Sequence, residues 1–526
     1  MSDIAARDWD APPSPAAVRR RFIGFMAMVV GMFMAILDIQ IVSASIAEVQ
    51  AGLAAGPDEA SWVQTSYLIA EIVMIPLSGF LSRMLSTRVL FVVSATGFTL
   101  FSLACAMAGN LQAMIIFRAC QGFLGGAMIP TVFASAFLMF AGPQRLKMSV
   151  LIGLTATMAP TIGPTLGGWL TQALSWHWLF LINVPIGAAV ALTVWLCIDI
   201  DKPEPGLFAK FDWVGLGLLA GFLGGLEYVM EEGPRWEWLA DASIRNGAML
   251  SALCCVGFFW RSLARPNPLV ELRAFGNRNF AIGSLFSFCV GVGLYGSVYL
   301  VPLFLGRVRA YNSLQIGETM FITGAVMLVA APIAARLAPK VDLRLMMATG
   351  FLTMALAVWL TATLTNLSGF WEMALPLGLR GAGTMCAMLA VNQVALGTLP
   401  PSMLKGASGL YNLMRNLGGA VALAVINTLV QDRSYLHRAQ LNEAVTWSRA
   451  GATQVIETLT QALTPRFQGD VDLAALRRVA AMVQREALVL AYNDVLVLMA
   501  LLFLLVVPLA FLVRRPRVVP GGGGAH

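Results

Sequence analysis

Apolar runs of about 20 residues recur along the whole chain, each long enough to cross a hydrocarbon core roughly 30 Å thick as a helix. Taken in order, they predict fourteen helices, near 22–45, 62–82, 88–109, 111–138, 148–170, 178–198, 212–230, 246–262, 280–305, 317–337, 343–363, 371–398, 406–430 and 488–513. One interruption is long and polar. Residues 431–487 mix both signs of charge, and Leu473, Leu476, Val479, Ala480 and Val483 recur within it at helical spacing. This segment predicts one or two short helices outside the membrane, serving as a connector or as a partner-docking surface. At the other end, Arg19-Arg20-Arg21 before an apolar stretch, with Ser45 and Ala47 beyond it, has the outline of a signal peptide. Asp38 is out of place in such a segment, so the stretch is read as an uncleaved first span.

Composition agrees with lipid as the solvent: 58% of the 526 residues are hydrophobic and 12% charged, against roughly 25% charged in an average soluble domain. All seven cysteines (Cys105, Cys120, Cys197, Cys254, Cys255, Cys289, Cys386) lie inside apolar runs with no CxxC spacing, and they are read as packing residues. The net charge of +7 does not point to nucleic acid, because most Arg and Lys fall in the short breaks between runs. With the N-terminus cytoplasmic, Arg83 and Arg88, Arg145 and Lys147, Lys202 and Lys210, Arg261 to Arg278, Arg336 to Arg344, Lys405, and Arg514, Arg515 and Arg517 all face inward. Arg235, Arg245, Arg307 and Arg309 are the exceptions, in two outer loops.

The chain repeats itself weakly. Pro76, Leu81 and Arg88 recur at the same spacing as Pro332, Leu337 and Arg344; Gly153-Leu154 and Met158 recur as Gly409-Leu410 and Met414, followed by Gly167-Gly168 and Gly418-Gly419. Two related halves around a central site are a common transporter plan. The expected division is a cytoplasmic segment 1–21, a six-helix half 22–198, an inserted two-helix region 199–279, a second six-helix half 280–513, and a cytoplasmic tail 514–526. The Gly-rich run Gly521 to Gly524 is assigned no role.

Charged and polar residues inside the runs carry the chemistry. In helix 1, Gly31, Asp38 and Ser45 sit at seven-residue spacing and share one face. A carboxylate near mid-membrane costs roughly 2.5–3.5 kcal/mol on insertion scales, so that face points into the protein, toward a partner or a proton. Helix 2 carries Gln64, Glu71 and Ser78, again at sevens, and helix 4 carries Arg118, Gln121, Gly122, Gly125 and Ile129 along one stripe. Counted at about 1.5 Å per residue, Asp38, Arg118 and Glu71 all lie about 10–14 Å below the outer boundary, where they can meet. The readings of Asp38 with Arg118 are a proton carrier or a permanent structural ion pair; for Glu71, a substrate or proton site or a satisfied polar contact. Helix 5 reads Ala159-Pro160-Thr161-Ile162-Gly163-Pro164-Thr165-Leu166-Gly167-Gly168. Its glycines allow close helix approach and its prolines bend the axis, giving either plain packing or a pliant seal.

Leu37-Asp38 through Ile46, Trp62-Val63-Gln64-Thr65-Ser66-Tyr67, Gly79 to Arg88, Phe117 to Gly122, the helix 5 stretch, and Trp176-His177-Trp178 with Ile182-Asn183-Val184-Pro185-Ile186-Gly187 together resemble the major facilitator superfamily. More narrowly they are similar to its fourteen-helix drug:proton antiporter branch, the EmrB/QacA type. The resemblance spans nearly the whole chain and implies an all-α membrane fold of two six-helix halves plus an inserted helix pair. By it, Asp38 is the protonatable residue of helix 1, Arg118 its partner, and Pro160, Gly163, Pro164, Gly167 and Gly168 the antiporter motif. It also implies a bacterial inner membrane location, and a periplasmic adaptor with an outer-membrane channel as partners, the adaptor contact falling on 431–487. The chain departs from the family pattern with Arg83 where an acidic residue is usual, Ser86 where glycine is usual, and Gln40 where a small hydroxyl residue is common.

No GxxxxGK[ST] loop is present and none of the five lysines follows a glycine, which excludes ATP coupling within the chain. No HExxH, only three histidines and no carboxylate pair with a nucleophile argue against a membrane-embedded enzyme; no metal site or cofactor is expected. The resemblance implies export of hydrophobic or amphipathic small molecules in exchange for protons, broad or devoted to one metabolite such as a fatty acid or an aromatic compound. Candidate cavity residues are Gln64, Tyr67, Gln121, Tyr295, Tyr299, Asn392, Asn412 and Arg415, with Phe286 and several methionines as adaptable apolar surface. The expected mechanism is alternating access, with proton binding at Asp38 and substrate binding in the cavity excluding one another.

Overall fold

The computed structural model describes residues 15–265, 268–446, 448–464 and 470–514. Arg515, Arg517, the Gly521 to Gly524 run and most of the segment 1–21 lie outside the described residues. Helices start where short polar side chains take up the free amides: Asn110 accepts from Ala113 N at 2.8 Å, Asn312 from Gln315 N at 2.9 Å, and Asp470 from Leu473 N at 3.0 Å.

Among the described residues fourteen helices are long and apolar enough to cross a membrane. They are α1 (Val18–Ala44), α2 (Trp62–Leu85), α3 (Thr87–Ala106), α4 (Leu111–Met139), α5 (Gly142–Ala173), α6 (Trp178–Cys197), α7 (Trp213–Glu232), α8 (Ala242–Ala264), α9 (Arg278–Arg309), α10 (Gln315–Leu337), α11 (Leu343–Thr361), α12 (Phe370–Leu396), α13 (Pro401–Ala444) and α14 (Val471–Leu512). Two are interrupted: α4 between Gly125 and Met128, and α6 between Leu181 and Asn183.

The polar segment 431–487 holds a short helix, as expected, but differs from expectation at both ends. It is mostly the continuation of α13 and α14, with one further helix, Ala450–Leu463, between them. The reason is local: α13 has no proline or glycine after Gly419, and α14 has neither before Pro508, so nothing stops either helix from running on past its apolar part. Of the predicted apolar stripe on this segment, Leu473 and Leu476 are exposed.

Equivalent pairs pack in both halves. In the first half α1 lies on α5 and α6, α2 on α4, and α3 on α4 and α6; in the second, α9 lies on α13 and α14, α10 on α12, and α11 on α12 and α14. The halves meet through α2 with α13 and through α5 with α10, a swapped arrangement with approximate two-fold symmetry. Pro76 of α2 and Pro332 of α10, matched in the sequence repeat, occupy equivalent helices.

The inserted pair is held to itself by Arg261 of α8, whose Nε and Nη2 donate to Asp212 at 2.8–2.9 Å, and by Ser251 donating to Phe222 O at 2.7 Å. Asp212 also caps α7. Burial alone would raise its pKa, but the Arg261 and Gly215 hydrogen bonds and the charges of Arg261 and Arg265 outweigh that and hold it below the usual carboxylate value. Leu253, Val256 and Trp260 of α8 face outward, while α7 packs against α2 and α13.

Arg21 donates to Asp199 O at 3.4 Å and Asn279 to Arg514 O at 3.0 Å, which gathers the starts of α1 and α9 and the ends of α6 and α14 at one face, here the termini face. The halves are in contact there. Gly79 of α2 meets the backbone of Lys405 and Gly406, and a Cβ at Gly79 would stand 2.6 Å from Gly406 Cα. Lys405 Nζ reaches Ser82 O at 3.2 Å and forms an ion pair with Asp201, which also accepts from Thr87 N and Oγ1. Gln393 of α12 donates to Ser149 of α5 at 3.0 Å.

Candidate functional site

Asp38 and Arg118 meet in the interior of the first half, both side chains fully buried, with Nη1 of Arg118 at 2.6 Å from Oδ2 of Asp38. The other carboxylate oxygen, Oδ1, accepts from Asn183 Nδ2 at 2.7 Å and Gln121 Nε2 at 3.2 Å. Arg118 is fixed in turn: Nη1 donates to Gln121 Oε1 at 2.8 Å, Nε to Val63 O at 3.1 Å, and the guanidinium lies 4.2 Å from the centre of the Tyr67 ring. Asn183 is held by Ser102, whose hydroxyl it approaches at 3.0 Å and which donates to Phe180 O at 2.9 Å. One carboxylate therefore ties α1 to α4 and α6. Asn183 reaches it because α6 breaks at the preceding residue and restarts at Asn183 itself.

A separate cavity of about 460 Å³ lies between the two halves, toward the face opposite the termini. Its wall comes from Gln40 of α1, Gln64 and Glu71 of α2, Pro164 of α5, Glu227 and Glu231 of α7, Tyr295 and Tyr299 of α9, and Asn416 and Asn427 of α13. The rest is mainly aliphatic, with Leu68, Ile72, Met230, Leu303 and Leu423 among it. Tyr299 donates to Asn427 Oδ1 at 2.7 Å. The inserted helix is held in this wall by the stacked rings of Trp62 and Tyr228 at 5.7 Å, by Thr65 donating to Glu232 at 3.1 Å, and by Trp238, just beyond it, donating to Thr428 of α13 at 3.0 Å.

Residues 28–423 match the profile of the Major Facilitator Superfamily. The chain belongs to that family. It is 42% identical over 493 residues, 94% of this chain and 96% of the relative, to the colistin resistance protein EmrB of Acinetobacter baumannii. It is 29% identical over 507 residues to the multidrug export protein EmrB of Escherichia coli (95% and 97% covered), and 28% identical over 521 residues to the fatty acid resistance protein FarB of Neisseria gonorrhoeae (98% and 100%). In fold it resembles the crystal structure of the human organic anion transporter MFSD10 (TETRAN), with a TM-score of 0.57 at 13% identity, 94% of this chain and 100% of that one being covered. This major facilitator chain is a multi-pass membrane transporter, not an enzyme, and among its relatives it is of the EmrB drug-efflux type.

Helix α5 uses its glycines for contact with α1. A Cβ on Gly163 would stand 2.4 Å from Gln40 Cβ, and one on Gly167 2.8 Å from Ile41 O. The same helix touches the other half, Gly317 and Gly324 of α10 lying over Thr165 and Thr161. Pro160 is buried, Pro164 faces the cavity and Gly168 is half-buried.

The remaining predicted residues divide. Gln64, Tyr295 and Tyr299 line the cavity. Tyr67 and Gln121 do not; their spacing puts them on Arg118, inside the first half. Asn392, Asn412 and Arg415 are buried behind the wall, Asn392 bonded to Tyr411 and Arg415 Nη2 donating to Asn412 at 2.6 Å above the Phe133 ring. Phe286 packs on Phe351 at 5.1 Å, in the core of the second half. Glu71 is buried but joins neither Asp38 nor Arg118 by hydrogen bond, because its face of α2 turns to the cavity. Sequence reasoning passed over Asn183, Glu227 and Glu231 as site residues. For the two glutamates the signal was present: carboxylates four residues apart near the end of an apolar run.

The departures in the loop between α2 and α3 have structural counterparts. Ser86, where glycine is usual, has φ +80°, in the region glycine favours. With Arg83 in place of the acid, the loop's negative partner is Asp201 from the segment after α6, which holds Thr87 and Lys405, while Arg83 lies 3.6 Å from Glu271.

Proposed function

We propose that this transporter is a proton-coupled exporter of hydrophobic or amphipathic small molecules, and that Asp38 carries the proton. The observation that supports this is a carboxylate and a guanidinium fully buried at 2.6 Å inside a membrane-spanning bundle, the carboxylate tying its own helix to two others. Buried charges are expensive to keep and are usually functional in membranes. A proton arriving on Asp38 removes the charge that holds Arg118, and the bonds linking α1 to α4 and α6 weaken together. The antiporter-motif helix lies on α1 and also on α10 of the other half, so a change in α1 is passed through α5 to the interface between halves.

Positive residues concentrate at the termini face, which supports a cytoplasmic assignment for that face, and the similarity to bacterial EmrB proteins supports an inner-membrane location. The conformation is then closed to the cytoplasm through Lys405, Asp201, Gln393 and Ser149, with the cavity in the periplasmic half. The extensions of α13 and α14 beyond their apolar runs then project on the periplasmic side, and the exposed Leu473 and Leu476 of α14 offer a surface to a periplasmic adaptor working with an outer-membrane channel.

A second reading, a dedicated exporter of one metabolite such as a fatty acid, is favoured by the similarity to FarB. The cavity weighs against an anionic cargo, since among the described residues its wall carries carboxylates and no Arg, Lys or His.

The test is transport in proteoliposomes under an imposed pH gradient. Asp38→Asn is expected to abolish gradient-driven movement of a fluorescent amphiphile while the protein still inserts and elutes as a folded species. Wild-type rates in that variant would remove Asp38 from the coupling step.

A further inference from the structure

We infer that Glu227 and Glu231 of the inserted helix α7 form, with Glu71 of α2 opposite, a recognition site for the positively charged group of an amphipathic substrate. This rests on reading the cavity as the substrate path, and it assigns to the inserted pair a direct part in choosing cargo.

Four residues apart, Glu227 and Glu231 share one face of α7, and that face lines the cavity. The helix is held there on both sides, by Thr65 and Trp62 of α2 and by Thr428 of α13. Glu227 is 5% exposed and Glu71 2%, and in each one carboxylate oxygen, Oε2 and Oε1 respectively, has no hydrogen-bond partner. The cavity-lining oxygens Gln64 Oε1 and Asn416 Oδ1 are likewise unpartnered. Every one of these is an acceptor, and a buried acceptor left unpaired costs about 1–3 kcal/mol. What they lack is a donor or a positive charge.

The protein does not supply one at the wall. Arg118 and Arg415 are the buried cations nearby, but neither lines the cavity; Arg118 is engaged with Asp38, and Arg415 with Asn412. The remaining surface is the apolar body of a drug-sized site, with the rings of Tyr295 and Tyr299 adding faces that attract cations. An ammonium or phosphonium centre carrying apolar groups satisfies all of these at once, whereas a carboxylate cargo would meet like charge.

The experiment uses the purified full chain and two probes of similar apolar body, the cation tetraphenylphosphonium and the neutral triphenylphosphine oxide, with binding measured calorimetrically. The wild type is expected to prefer the cation by at least about tenfold, since charge attraction is strong in so sheltered a site. Glu227→Gln with Glu231→Gln should bring the two affinities together while leaving the oxide's nearly unchanged, which also reports that the cavity is intact. Glu227→Asp with Glu231→Asp should keep the cation preference. No preference in the wild type, or an undiminished preference in the double glutamine variant, overturns the inference. If the glutamine variant loses the oxide as well, the aspartate variant decides: restored cation preference supports the site, and its absence overturns it. Binding needs no proton gradient, so loss of this preference is distinct from a failure of Asp38 to couple transport.

Discussion

Asp38 accepts from three side chains that come from two other helices, and this is the point at which a single proton has the widest structural effect. Removing one member of a buried ion pair typically costs about 3–5 kcal/mol because the other charge is left uncompensated. Exchanging the two charges, Asp38→Arg with Arg118→Asp, separates a structural role from a coupling role. Folding is expected to recover relative to either single variant, read as melting temperature, while proton-driven transport stays absent because Asn183 and Gln121 then donate toward a cation. The pair itself was legible in the sequence, since equal depth in three apolar runs brings Asp38 and Arg118 to one level. Depth says nothing about rotation, however, and Glu71 at the same level faces the cavity. Asn183 was not legible as a partner, because an uncharged residue in an apolar run gives no signal until the break in α6 turns its amide inward.

At the scale of the helix, α5 is the element whose neighbours on both sides are fixed by small residues. Gly167→Val would drive a side chain into the backbone carbonyl of Ile41, an obstacle that no rotamer change removes. The expected result is normal membrane insertion with transport reduced at least about tenfold, checked in the same vesicle assay; Gly168→Ala, at a half-buried position, should retain most activity. The inserted pair makes a different prediction. Asp212 has its pKa lowered in the folded state, so its clamp with Arg261 adds stability above the unfolded value of about 3.9 and loses it as pH falls below that point. Asp212→Asn should lower the melting temperature at neutral pH and flatten its fall between roughly pH 5 and pH 3. The helices themselves were legible from hydropathy alone. The polar segment was legible only in part: the short helix Ala450–Leu463 is of the expected kind, but hydropathy marks where lipid ends and not where a helix does, so the extensions of α13 and α14 were missed.

Over the whole molecule, α2 with α13 and α5 with α10 form the seam between the halves. The internal repeat announced this symmetry, but the residues that close one face of the seam carry no motif. Lys405 belongs to the second half, Ser82 and Thr87 to the first, and Asp201 to the segment that follows α6. Lys405→Ala should favour opening at the termini face. Spin labels at the exposed positions Gln144 and Leu345, one in each half, in a background freed of native cysteines, should report a longer distance in the variant; an unchanged distance distribution would mean that the pair is not part of the closure.

The 41 residues from Leu404 to Ala444 form one unbroken α-helix. At about 1.5 Å per residue it measures roughly 60 Å, about twice the hydrocarbon core. A rod of that length anchored in one half has the geometry of a lever: each degree that half tilted about the membrane midplane would displace the far tip by about 0.8 Å, so a partner resting on that tip would be told, mechanically and without any messenger, which way the transporter faces.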